Sequence, residues 1–199
     1  MINEDVALNG LLSGFLARKR KEKALPYIKN SKKILDVGCG LSLWGKTIKS
    51  NQQYLGIDIS KSIIKKNLEN NSFHNQNFQC FDFDHNDENE LGNGFDLIIM
   101  LAIIEHFPNP SKSMKIIARL LKPGGKIVIT TPTPYGDVIL DIGAKFRIFA
   151  TDKHEHNELF NYASLKAVTE NANLKLRHYE KFLFFQNQFA VLEKQIDKN

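Results

Sequence analysis

Long hydrophobic runs are missing from this sequence. No stretch approaches the ~20 apolar residues of a membrane span, and no secretory signal opens the chain. Cysteine is scarce too: Cys39 and Cys80 stand far apart and suggest neither a disulfide framework nor a zinc site. Those absences predict a cytoplasmic protein. Repeats, low-complexity tracts and linkers are also absent, so the 199 residues read as one domain with one core. The P-loop ending G-K-[ST] does not occur. The glycine fingerprint of nicotinamide enzymes is incomplete, because its third glycine position is Leu43. A bulky side chain there argues against a pyrophosphate lying on the following helix.

What is present begins with residues 34–42, ILDVGCGLS. Ile34, Leu35 and Val37 form an apolar strand that meets Gly38 and Gly40, and a helix is predicted to open after Ser42. Glycines at such a place let the backbone turn sharply and approach a ligand. A second strand, YLGID, ends about twenty residues later in Asp58, where an acid can bond both hydroxyls of a ribose. Asp36 sits inside the first strand, just before the turn, and can face a cationic amino group. Ligand chemistry of this kind points to an adenosine-containing cofactor with an amino-acid arm.

These motifs and three later ones resemble the class I S-adenosylmethionine-dependent methyltransferases, of the group acting on small or glycan-type acceptors. FQCFDFD resembles the family's third motif, FDLIIMLAIIEHFPNP its fourth strand and exit, and LLKPGGKIVITTP the next helix, turn and strand. The resemblance implies S-adenosyl-L-methionine as cofactor, held by Asp36, Gly38, Gly40, Asp58, Ile59, Asp82, Phe83 and Leu101. Ile59 would cover one adenine face, Asp82 would accept from the adenine amino group, and the Phe83 backbone would read the ring edge. Asp84 shares a face with Asp82 and is the alternative acceptor.

Strands alternating with helices predict a Rossmann-like, doubly wound α/β sheet of seven mostly parallel strands, with helices on both faces and an antiparallel C-terminal strand. Residues 1–30 are expected to form a helical cap, ended by Pro26, and residues 131–160 an acceptor-side insertion. Val138, Ile142, Phe146 and Phe149 recur there at helical spacing. A helix is expected over about 42–50, and another from Pro110, capped by Asn109, to Pro123-Gly124-Gly125. Ser60 and Asn161 are predicted caps of two further helices.

A sulfonium donor needs little help with a carboxylate acceptor, but a hydroxyl acceptor calls for a base. His106, just after strand 4, and His156, in DKHEHNELF before the last helix, are the candidates, with His154 beside the latter. Some ubiquinone-type methyltransferases carry E-x-x-E-H at the strand-4 exit, but the first acid is Ala102 here, so no metal is predicted. The net charge of +5 gathers at Arg18-Lys19-Arg20-Lys21 and Lys23, read as a solvated helix face or a contact for an anionic acceptor or membrane surface. The function expected is methyl transfer to a small-molecule, saccharide or lipid-linked acceptor, at oxygen. The alternatives are an RNA or protein methyltransferase, or a non-catalytic cofactor-binding module. Nucleic acid is disfavoured, because the basic run lacks interleaved aromatics. The C-terminal β-segments carry Phe182, Phe184 and Phe185, which either line a homodimer interface or fill the sheet.

Overall fold

Apolar residues in consecutive positions make strands that can only sit inside a sheet covered on both faces. Strand β4 (Phe95–Leu101) is of this kind, with Leu97, Ile98, Ile99 and Met100 all buried. The computed structural model describes residues 4–42, 44–135 and 159–196, with side chains described from residue 14 onward. The elements are α1 (Glu4–Lys29), β1 (Lys33–Val37), β2 (Gln53–Asp58), α2 (Lys61–Asn70), β3 (Gln76–Cys80), β4, α3 (Pro110–Leu120), β5 (Leu121–Pro132), α4 (Tyr162–Glu170), β6 (Leu174–Phe182) and β7 (Asn187–Lys194). The strands form one seven-stranded sheet in the order β3-β2-β1-β4-β5-β7-β6. Strands β3 to β5 are parallel to their neighbours across the sheet, and β7 runs antiparallel between β5 and β6. The predicted fold class holds. Its one antiparallel strand lies inside the sheet, not at its edge.

Alternation along each strand builds two cores. On one face, Leu35, Val37, Ile98, Met100, Ile127 and Ile129 pack with Met114 and Ile117 of α3 and Leu165 of α4. On the other, Ile34, Leu97, Ile99 and Val128 pack with Ala24 and Ile28 of α1, and with Trp44 and Tyr54. Each such large side chain, fully buried, contributes about 1.5–3 kcal/mol before entropy is set against it.

Three helix ends follow their predicted caps. Ser60 Oγ accepts from Ile63 N, Asn109 Oδ1 from Lys112 N, and Asn161 makes a reciprocal capping box with Ser164. Other boundaries differ. Helix α1 runs through Pro26 to Lys29, although Pro cannot donate a hydrogen bond within a helix. The carbonyls of Pro26 and Tyr27 are taken up by Asn30 Nδ2 and Ser31 Oγ, which lets the helix finish a turn later. The helix expected over 42–50 is reduced to a 3-10 turn, Gly45–Thr47. Gly45 has φ +37°, outside the right-handed helical region. Helix α3 stops at Leu120, and β5 passes straight through Pro123-Gly124-Gly125. On α2, Ile64 and Asn67 are buried and Leu68 is exposed.

Candidate active site

The carboxyl ends of β1, β2 and β4 point to one edge of the sheet, and two cavities open there on either side of Gly38. The larger, about 300 Å³, is lined by Gly38, Asp58, Ile59, Asp82, Phe83 and His106, together with Ile103, Phe107 and Ser113. The smaller, about 110 Å³, is lined by Ala17, Arg20, Asp36, Gly38, Cys39, Trp44 and Leu101. Six of the sequence-predicted residues therefore meet in one cavity, and Asp36 and Leu101 meet across Gly38 in the other. Gly38 lines both, so the two cavities are neighbours at the carboxyl edge of the sheet.

Asp58 stands at the end of β2 with both oxygens engaged. Its Oδ2 accepts from Gly40 N at 3.1 Å and its Oδ1 from Ser60 N at 2.9 Å. Each oxygen keeps a second lone pair for a hydroxyl donor. A side-chain clamp fixes the glycine turn. Asn67 Nδ2 donates to the Gly40 carbonyl at 2.7 Å, and Asn67 Oδ1 accepts from Ser42 N at 3.0 Å. The turn is thus fixed by α2 and β2, with Gly40 at φ +52° and nothing within 4 Å of the place its Cβ would take. Gly38 is different: at φ +67°, a Cβ there would come within 2.6 Å of Ile103.

The end of the larger cavity at Ile59 and Phe83 is apolar and half open. Ile59 lines the larger cavity while 73% exposed, an uncovered apolar surface at its rim. Phe83 packs edge-on against Phe81 and Phe107, at centroid distances of 5.0 and 6.1 Å. Asp82 Oδ1 accepts from Asp84 N, and Asp82 Oδ2 pairs with His85 Nδ1 at 2.8 Å. Those contacts hold its carboxyl below the ordinary range, the Asp84 amide first and His85 next. Asp82 therefore organises its own turn as well as lining the cavity, and Asp84 lines the cavity beside it.

The smaller cavity carries two opposite charges. Asp36 is 4% exposed, and its Oδ2 accepts from Trp44 Nε1 at 2.8 Å and from Tyr54 OH at 2.7 Å. Burial pushes its carboxyl up to about 6, against the two hydrogen bonds that draw it down, and nearby Asp58 adds to the rise. Trp44 is thus a buried hydrogen-bond donor and belongs to no helix. Arg20, read from sequence as part of a solvated face, is turned inward. Its Nε and Nη2 donate to Asn187 Oδ1 at 3.1 and 2.9 Å. Burial presses its guanidinium downward, and the field of Glu105 offsets part of that. The rest of the basic run is shared out: Lys19 pairs with Glu22, Lys21 lies over the Trp44 ring, and Lys23 pairs with Glu180. Cys39 is partly buried, and burial drives its thiol far up, which suits packing and not nucleophilic attack.

Ala102, at φ +56°, turns the chain out of β4 into the 3-10 turn Ile104–His106. That left-handed step brings His106 to the wall of the larger cavity. His154 and His156, with Leu43 and the 138–149 pattern, lie outside the described residues. Among the described residues, no three His, Cys, Asp or Glu side chains gather into a metal-binding group. Sequence reasoning missed Arg20, Asn67 and Phe107. The first was hidden in a run of like charges, and nothing local marked the others.

A profile described as "Methyltransferase domain" matches residues 11–179. The chain is 30% identical over 152 residues to a ubiquinone biosynthesis O-methyltransferase of Coxiella burnetii (strain Dugway 5J108-111), covering 73% of this chain and 64% of that protein. It therefore spans about 64% of the length of such curated relatives. Its fold resembles the N-methyltransferase NodS from Bradyrhizobium japonicum WM9 in complex with S-adenosyl-L-homocysteine, with TM-score 0.65 and 11% identity over 90% of this chain and 87% of that one. The [4+2]-cyclase SpnF is equally similar, with TM-score 0.67 and 14% identity over 90% and 80%. Such structural likeness fixes the fold and leaves the reaction to the site. From the profile match over most of its length, the chain belongs to the methyltransferase-domain family.

Proposed function

We propose that this chain binds S-adenosyl-L-methionine and transfers its methyl group to an oxygen of a small-molecule acceptor. The observation that carries the cofactor is the smaller cavity, lined by both Arg20 and Asp36. One cationic and one acidic residue lining the same space suit the carboxylate and ammonium of an amino acid. Gly38 joins that space to the larger cavity, where Asp58 would hold the ribose, with Ile59, Asp82 and Phe83 around the adenine. When bound, the cofactor supplies an electrophilic methyl on a sulfonium.

The chain's own work is to hold the acceptor in line, exclude water and, for a hydroxyl acceptor, take its proton. His106 is the base in this account, with His156 from the acceptor-side segment as a second group. An oxygen acceptor is supported by the relatives named ubiquinone biosynthesis O-methyltransferases. The saccharide or lipid-linked class of acceptor and the cytoplasmic location belong to the same proposal. Its test is the formation of S-adenosylhomocysteine from S-adenosylmethionine in the presence of phenolic, glycan and lipid-linked hydroxyl acceptors. Acceptor-dependent product supports it, and product from none of these classes while the donor binds would reject the acceptor assignment.

A further inference from the structure

The turn between β6 and β7 breaks two rules at once. Leu183, Phe184 and Phe185 all have positive φ, at 53°, 51° and 66°, where glycine or asparagine is the relaxed choice. Phe184 and Phe185 are also 89% and 64% exposed, so their rings gain little from packing in return. The conformation is imposed by the neighbouring strand end: Thr133 Oγ1 donates to the Phe185 carbonyl at 2.6 Å, and Thr133 N to the Gln186 carbonyl at 2.9 Å. Strained backbone that holds apolar side chains out in water is a cue for a partner.

The surroundings say which partner. Pro132 is in register with Asn187, so the turn stands at the carboxyl edge of the sheet, where both cavities open. Helix α1 climbs to the same edge, since Lys23 meets Glu180 and, further up, Arg20 meets Asn187. Helical rise then carries Phe15 about 7.5 Å beyond Arg20, past the strand end. Phe15 is 40% exposed, with Arg18 and Lys19 over its ring at 5.6 and 5.8 Å. Lys181 is exposed on the strand leading into the turn. Glu22 pairs with Lys19 and reaches Arg18, which leaves three cations against one carboxylate. Two or three protruding rings are far too little for a protein partner, where about 800 Å² a side is usual. Aromatic wedges among excess cations fit the boundary of an anionic bilayer.

We propose that the Phe184–Phe185 turn, aided by Phe15, Arg18 and Lys181, docks this protein onto anionic lipid surfaces with its cavities facing the membrane. This docking does not depend on the methyl-donor assignment. The test is flotation of the full chain with vesicles of phosphatidylcholine alone or mixed with phosphatidylglycerol, for the wild type, F184S/F185S and R18E/K181E. The wild type is expected to float with the mixed vesicles, less so at high salt, and each double variant at least about tenfold more weakly. Unchanged circular dichroism shows that the variants fold. Undiminished flotation of F184S/F185S would overturn the proposal, as would equal flotation on uncharged vesicles or none on either. A dimer in solution that F184S/F185S dissociates would overturn it too, and would give the turn to a second copy.

Discussion

Trp44 donates its indole N–H to Asp36 Oδ2 at 2.8 Å, inside the wall of the cavity that Arg20 shares. It is the sole tryptophan of the chain, so its fluorescence reports on that cavity alone. Replacing it with Phe leaves Asp36 with Tyr54 as its remaining side-chain donor. We expect Trp44→Phe to lower stability by about 1–3 kcal/mol in urea denaturation. In the wild type, a ligand filling the cavity should change the emission, and an unchanged spectrum at saturating ligand would place the ligand elsewhere.

Asp36 also sets a pH dependence. Its folded carboxyl titrates near 6, above its unfolded value, so the folded state holds the proton more tightly. Its contribution to stability is therefore full below about pH 4 and is lost as pH rises through about 6. The loss is on the order of 2–3 kcal/mol, read by denaturation between pH 4 and 7.5. Asp36→Asn should remove that slope. A ligand ammonium reverses the preference, so binding of the methyl donor should strengthen over the same rise in pH and should flatten in the Asn variant.

The two turn glycines should fail differently. Gly38→Ala meets both a left-handed backbone and the Ile103 side chain at 2.6 Å, and should cost about 2–5 kcal/mol. Adding Ile103→Ala should restore the steric part only. Gly40→Ala meets open space and only the backbone term, about 1–2 kcal/mol. Thermal melts in parallel with ligand titration separate the two, and equal destabilisation by both would contradict the geometry.

His106 is expected to act on the acceptor and not on the cofactor. For a hydroxyl acceptor, His106→Gln should lower kcat by about 10²–10⁴-fold while leaving donor affinity within about twofold. The pH profile of kcat should lose its acidic limb. Full activity of the variant would move the base to His156 or remove it.

The fold was legible because its signals are periodic and local. Continuous apolar strands, the Ser60, Asn109 and Asn161 caps and the strand-helix alternation need no distant partner to be read. The end of β2 and the strand-4 exit were legible for the same reason, which is why Asp58 and His106 meet in one cavity. What failed depended on contacts across the chain. The helix expected after Ser42 gives way to a turn held by Asn67, 25 residues on. Arg20 is drawn inward by Asn187, 167 residues away, and no pattern around Arg18–Lys23 announces it. Phe184 and Phe185 read as part of the C-terminal β-segments, open to a dimer interface or to sheet filling, and the turn between β6 and β7 leaves them exposed instead.

The site proposed for a zwitterion and a ribose spreads over two neighbouring cavities that share Gly38. The most direct measurement is a calorimetric titration of S-adenosylmethionine and S-adenosylhomocysteine into the full chain, with Asp58→Ala, Arg20→Ala and NADH as controls. Micromolar binding of both ligands is expected, weakened at least about tenfold in each variant, with NADH silent. Undiminished binding in Arg20→Ala and Asp58→Ala, or binding of NADH in place of the methyl donor, would contradict it.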